Sequence, residues 1–280
     1  MNHVLMYFMR CQNCEARGNW LYHIPDPTYA SKGGEYSAAV VFGDERGRIN
    51  AQWPPQEGNR LIGNVIVGAG KLLQVRNNAN ETGGYDTQLL DTEIAGNTFV
   101  AGPGTTEGIV INPNQRGRPH RNSVFRDNVI DFRNAAPGAD VATFGAGGGV
   151  EFHHNAWTEF PPKSMQGAGD IVRPDLGLAE PGAAIARNGV PPATDFDAGH
   201  YRPRPDSPLI GAASDGTTIG ALEPVTTEPP DEPGPDDEPD TAKLIEVCES
   251  VLAQLATAGF AIADATAGIN QIVAALQVGK

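Results

Sequence analysis

Leu61-Ile62-Gly63-Asn64-Val65-Ile66 is the stretch on which the fold turns, because its pattern recurs four more times along the chain. An apolar or small residue, two further positions, Asn, one position and a second apolar residue appear again as Ala16-Arg17-Gly18-Asn19-Trp20-Leu21 and Ile94-Ala95-Gly96-Asn97-Thr98-Phe99. The last two copies are Phe125-Arg126-Asp127-Asn128-Val129-Ile130 and Phe152-His153-His154-Asn155-Ala156-Trp157. Successive Asn residues are 45, 33, 31 and 27 positions apart. A second apolar run follows each of them: Ala38 to Phe42, Lys71 to Val75, Gly108 to Ile111, Val141 to Phe144 and Gly169 to Val172. Gly, Pro, Asn and Asp fill the intervals, so each unit reads as two or three short strands separated by turns.

One such unit cannot bury its apolar face alone. Stacked units can, because each apolar position then lies over its counterpart one level below. Asn19, Asn64, Asn97, Asn128 and Asn155 fit a sharp corner, since Asn tolerates the left-handed backbone conformation and its amide can bond to the Asn above and below. Gly precedes Asn in the first three copies and suits the same corner. Unequal spacing is expected, because long loops leave a solenoid at its corners without disturbing the stack. The pattern predicts an all-β fold, a right-handed parallel β-helix over residues 1–178 with a closing segment over 179–224. A β-sandwich is the rival, but the two-residue turn signals of antiparallel hairpins are sparse.

The copies around Asn64 and Asn128 resemble rungs of the pectate-lyase-like superfamily of right-handed parallel β-helix repeat proteins. So does the segment with Tyr201-Arg202-Pro203, Ser207-Pro208-Leu209-Ile210-Gly211 and Ile219-Gly220-Ala221-Leu222-Glu223, which is similar to the tail of many extracellular β-helix polysaccharide lyases and hydrolases. The resemblance covers roughly residues 1 to 224. It is specific for the fold and implies an extracellular or virion-surface protein that meets polysaccharide. The activity does not follow from the fold, which hosts many functions.

Composition agrees with this reading. Gly (34) and Pro (23) exceed a fifth of the 280 residues, as turn-rich β architecture requires. A formal net charge of -14 argues against a nucleic-acid partner, whose phosphates call for clustered Lys and Arg. No apolar run approaches the ~20 residues that span a bilayer. Cys11 and Cys14 form a CxxC without a second pair to complete a zinc site, and read as small residues within a β unit. The first unit begins within a few residues of Met1 with no capping element, which leads us to expect either a partner over that end or, the favoured reading, further units upstream in a longer protein.

Beyond residue 224 the character changes. Residues 225–241 carry seven acidic residues, five Pro and no basic one, and read as an extended acidic spacer. Residues 242–280 show a four-three alternation of apolar and small residues from Leu244 to Leu276, the spacing of a coiled-coil seam. Leu255, Ile262, Ile269 and Leu276 occupy a positions and Ile272 a d position, so a C-terminal α-helical coiled coil is expected, with a homo-oligomer, trimer favoured. A single helix folding back on the β domain is the alternative.

The chemistry is less sharply written. The polygalacturonase set of Asn-Thr-Asp, Asp-Asp and Gly-His-Gly is absent, as is the Asp-Pro-His-Glu of alginate epimerases. The polar clusters are Arg116, Arg118, His120 and Arg121 before the fourth copy, and Glu151, His153 and His154 in the fifth. Strand alternation places Glu151 and His153 outward and Phe152 inward. These residues read either as a sugar groove, with His153, Glu151 and His120 as candidate catalytic groups and Arg116, Arg118 and Arg121 as substrate contacts, or as a solvated face. Asp91 and Glu93 form a further same-face pair. The leading function is a surface-polysaccharide binding, in one version degrading, protein of the phage tail-spike type. The alternatives are a secreted lyase or glycoside hydrolase and a structural spacer without ligand. No cofactor is expected, except Ca2+ if the chain is a lyase acting on acidic sugars.

Overall fold

A computed structural model describes residues 4–22, 38–44, 55–77, 86–113, 118–145, 148–179 and 198–225. The chain divides into two compact units, Met1–Val225 and Thr226–Lys280. The second unit lies outside the described residues, and with it nearly all of the acidic stretch and the whole of the expected coiled-coil seam with Leu255, Ile262, Ile269, Ile272 and Leu276.

Among the described residues the first unit is all-β, with short 3-10 turns beside its strands. Sheet I consists of β1 (Val4–Met9), β4 (Ala38–Gly43), β7 (Lys71–Val75), β10 (Glu107–Ile111) and β13 (Asp140–Phe144). Sheet II consists of β2 (Glu15–Arg17), β5 (Arg60–Ile62), β8 (Glu93–Ala95), β11 (Ser123–Arg126) and β14 (Val150–His153). Sheet III consists of β3 (Trp20–Tyr22), β6 (Val65–Val67), β9 (Thr98–Val100), β12 (Val129–Asp131), β15 (Ala156–Trp157) and β16 (Ile171–Val172). The chain visits sheets I, II and III in turn five times, and every strand pairs in parallel with the strand one circuit away. Such a repeating set of parallel sheets is compatible with a β-helix or solenoid.

The register stacks like on like. Ala16, Leu61, Ile94, Phe125 and Phe152 are successive partners across sheet II, and Leu21, Ile66, Phe99, Ile130 and Trp157 across sheet III. Both columns point into one core, which they share with Phe42, Leu73, Val75, Ile109 and Ile111 of sheet I. Phe125 stacks on Phe99 and on Trp157 at centroid distances of 6.2 and 6.1 Å.

The corner between sheets II and III carries the marked Asn residues and differs from expectation in one respect. The left-handed residue is the one before each Asn: Gly18, Gly63, Gly96, Asp127 and His154, with φ between 52° and 64°. The Asn itself is therefore free to turn its amide inward. Asn64, Asn97, Asn128 and Asn155 are fully buried. Asn97 shows why. Its backbone N and Nδ2 donate to Asn128 Oδ1 at 3.0 and 2.9 Å, and Nδ2 also donates to Leu61 O and Ala95 O. Its own Oδ1 accepts from Asn64 N and Nδ2 at 2.9 Å each. The same exchange joins Asn19 to Asn64 and Asn128 to Asn155. An isolated buried amide would be costly, and here nearly every polar atom is satisfied by the next circuit.

Sequence pattern missed β1, which has no Asn to mark it. It also misplaced the run Gly169 to Val172, whose strand β16 pairs with β15 in sheet III rather than continuing sheet I. The loop before β16 ends the stack: Met165 fills the core, and Asp170 takes the place of a sixth Asn by accepting from Asn155 N at 2.8 Å.

Between β6 and β15 sheet III is buried on both faces, which accounts for the uninterrupted apolar run Val65–Val67. Val65, Val67, Val100, Val129 and Ala156 point away from the main core and meet Leu176, Leu178, Tyr201, Leu209 and Ile219. Ala221 N donates to Thr98 Oγ1, and Ser214 donates from N and Oγ to the Asp127 carboxylate at 2.7 Å each. The described part of the segment expected to close the stack, residues 198–222, thus packs along its flank.

Candidate functional site

Three outer faces are available in such an arrangement, and they differ in accessibility. That of sheet III is covered by the C-terminal segment. That of sheet I is buried over β4, β7 and β10, where Val41, Gln74 and Val110 are nearly inaccessible. Sheet II turns an accessible face to solvent, and its strands show the alternation this demands: in β14, Glu151 is exposed, Phe152 buried and His153 half-buried.

Two columns of side chains run down this face. In the first, Glu15, Arg60, Glu93, Val124 and Glu151 are successive register partners. In the second they are Arg17, Ile62, Ala95, Arg126 and His153. Arg60 pairs with Glu15 at 2.8 Å and with Glu93 at 2.9 Å, and Arg126 pairs with Glu93 at 2.6 Å and with Asp127. Partial burial opposes ionisation of Glu93, but hydrogen bonds from Arg126 and Arg60 outweigh it and hold its carboxyl below the usual range. Burial likewise opposes the charge on Arg126, and Glu93 and Asp127 more than compensate. The two Arg residues are thereby committed to carboxylates of their own sheet and its corner.

The ladder stops at Val124. Beside it opens a shallow cleft of about 420 Å³, lined by Asn122, Ser123, Val124, Gly149, Val150 and Glu151. Glu151 and His153 therefore stand on one accessible face, as alternation predicts, with Glu151 at the edge of the cleft. His154 sits at the corner instead. Its Nδ1 lies 3.1 Å from His153 Nδ1.

The other candidates are dispersed. His120 is 2% exposed, and both ring nitrogens are occupied: Leu89 N donates to Nδ1 at 3.0 Å, and Nε2 lies 3.3 Å from Asn112 O. Burial depresses its pKa, so the neutral ring with the proton on Nε2 fits both contacts. It serves the backbone inside the stack and does not join Glu151 and His153. Arg118 reaches Asp86 at 3.4 Å, and Arg121 is exposed beside the corner that opens β11. Arg116 lies outside the described residues. Asp91 and Glu93 separate, with Asp91 at a corner accepting from Asn122 Nδ2 and Glu93 in the ladder. Cys11 is a hydrogen-bonding core residue: its thiol donates to Asn59 Oδ1 at 3.4 Å, and burial together with Cys14 pushes its pKa up to about 12.

Sequence reasoning overlooked the cleft and a second left-handed corner, between sheets I and II. Asn13, Gly58, Asp91, Asn122 and Gly149 hold it, with φ between 46° and 79°. Each stands six positions before a marked Asn, a constant offset that could have revealed it (13 to 19, 58 to 64, 91 to 97, 122 to 128, 149 to 155). Among the described residues no three His, Cys, Asp or Glu side chains are grouped to hold a metal ion, and no helix is long and apolar enough to cross a membrane. No family model, curated protein or solved structure matches this chain.

Proposed function

We propose that the first unit is a right-handed parallel β-helix of the pectate-lyase-like kind, and that the outer face of its second sheet binds surface polysaccharide, as in a phage tail spike. The hand follows from the rule that parallel crossovers turn right. The observation that carries the functional reading is the accessible face of sheet II, where most of sheet III and the middle of sheet I are covered, with the open cleft at Val124 and Glu151. Parallel strands repeat every ~4.8 Å, so a chain of sugars laid across them meets chemically similar positions at each step. Binding is favoured over elimination on an acidic sugar, because Arg60 and Arg126 are each engaged by two carboxylates and are not at hand to neutralise a uronate. The four-three spacing of apolar residues in the sequence of 242–280 supports a trimer at the virion or cell surface, where several faces engage one repeating glycan.

The test is retention of immobilised bacterial surface glycans by the full chain. Val124→Arg, which fills the cleft from an outward position, is expected to weaken retention at least tenfold while leaving the unfolding midpoint unchanged. The pair Ile262→Asp, Ile269→Asp is expected to reduce retention on dense surfaces and to leave single-site affinity intact. Failure to retain any glycan, or indifference to Val124→Arg, would refute the assignment of this face.

A further inference from the structure

The fifth circuit differs from the other four at one corner. Where Gly18, Gly63, Gly96 and Asp127 hold the left-handed position before the marked Asn, this circuit has His154, at φ 52°. The residue before it, His153, is the outward residue that ends β14. The turn between them brings Nδ1 of one ring to 3.1 Å from Nδ1 of the other, with the rings at 90°.

The arrangement is held from behind. His154 N donates to Ala168 O at 2.9 Å, and His153 forms a parallel bridge with Ala168. The Cδ2–Nε2 edge of the His154 ring lies over Gly169, where a Cβ would approach Nε2 to 2.6 Å. Gly169 thus leaves just enough room for the ring, whose opposite edge carries Nδ1 toward His153. Both imidazoles are half-buried, with access to solvent.

Two neutral imidazole nitrogens at this separation can share a single proton. They can equally share a cation. With metal–nitrogen bonds of about 2.0–2.1 Å, a 3.1 Å separation corresponds to a nitrogen–metal–nitrogen angle of about 100°, between the values for cis octahedral and tetrahedral ligands. We propose that His153 and His154 form a two-imidazole site for a divalent first-row transition metal of the zinc type, with water or a bound ligand completing the shell. Imidazole favours these ions over Ca2+ or Mg2+, which seek oxygen. This proposal is independent of the polysaccharide reading, since it rests on the corner and not on the cleft.

Zn2+ titration by calorimetry, with Co2+ absorption as a second readout, tests it on the full chain. All proteins carry His3→Gln, so that His3 contributes no ligand. His154→Asn keeps a residue that tolerates the left-handed corner, and His153→Gln keeps an outward polar side chain. One Zn2+ per chain is expected in the parent, weakening at least tenfold in either variant. The Co2+ spectrum should change with either replacement. Zn2+ binding that is absent in the parent, or equal in the parent and both variants, overturns the site.

Discussion

The two left-handed corners of each circuit solve one backbone problem with different side chains. Between sheets II and III the residue after the turn is always Asn, and its amide is exchanged from circuit to circuit. Between sheets I and II the equivalent residues are Cys14, Asn59, Thr92, Ser123 and Val150, and the bonds are improvised: Cys14 N donates to Asn59 Oδ1, Thr92 N to Ser123 Oγ, and Ser123 N to Gly149 O. The first corner lies between two cores, the main one and that under the C-terminal segment, so water cannot substitute for a missing partner. The second opens toward the exposed face, and Asn13 and Asn122 there are exposed. The residues that follow this second turn, Asn59, Thr92 and Ser123, are themselves buried, so what relaxes is the choice of side chain and not the demand for a partner.

The comparison is open to attack at both corners. Replacing Asn128 by Ala should have the largest effect, a loss of about 3 kcal/mol in urea unfolding, because it leaves Asn97 N without its acceptor and opens a void between buried circuits. A change within error would mean that the amide column contributes nothing beyond packing. An intermediate effect is expected from acid near the second corner, where His120 accepts from Leu89 N. Its folded pKa lies below the unfolded value of ~6.5, so its contribution is complete above that pH and declines as the pH falls toward the folded value. Protonation turns Nδ1 into a donor facing a donor, which costs on the order of 1 kcal/mol. Unfolding of the parent and of His120→Gln between pH 7.5 and 5 checks this, and equal slopes for the two would exclude His120 as the source. The smallest effect belongs to Asn122→Gly at the exposed corner. Gly adopts φ 49° without strain and forfeits one exposed bond to Asp91, so stability should shift by less than about 0.5 kcal/mol. A loss as large as that of Asn128→Ala would erase the distinction.

What could be read in the sequence follows the same division. The Asn column was legible because one residue type recurs with apolar residues at fixed offsets, and that sufficed to phase sheets II and III and to turn Glu151 and His153 outward. The second corner was hidden because Asn, Gly and Asp are interchangeable in a left-handed position. His120 looked like a surface residue because it lies in a polar stretch, Arg116 to Arg121; nothing local records that Leu89, 31 residues earlier, needs its ring as an acceptor. The covering of sheet III was written in Val65-Ile66-Val67, a run with no polar alternate, but the segment that does the covering arrives more than a hundred residues later.

Asp170 has a consequence for how such a stack can end. Every amide in the column points the same way, donating toward the later circuit and accepting from the earlier one, so the column is a line of aligned dipoles. Its positive pole emerges at Asn155 N, where a neutral Asn would merely pass the polarity onward. A carboxylate terminates it: Asp170 receives Asn155 N on one oxygen and Gly167 N and Trp157 Nε1 on the other. The substitution of one oxygen for one NH2 group thus works as a stop signal, marking where repetition ceases much as an acidic residue marks the first turn of a helix.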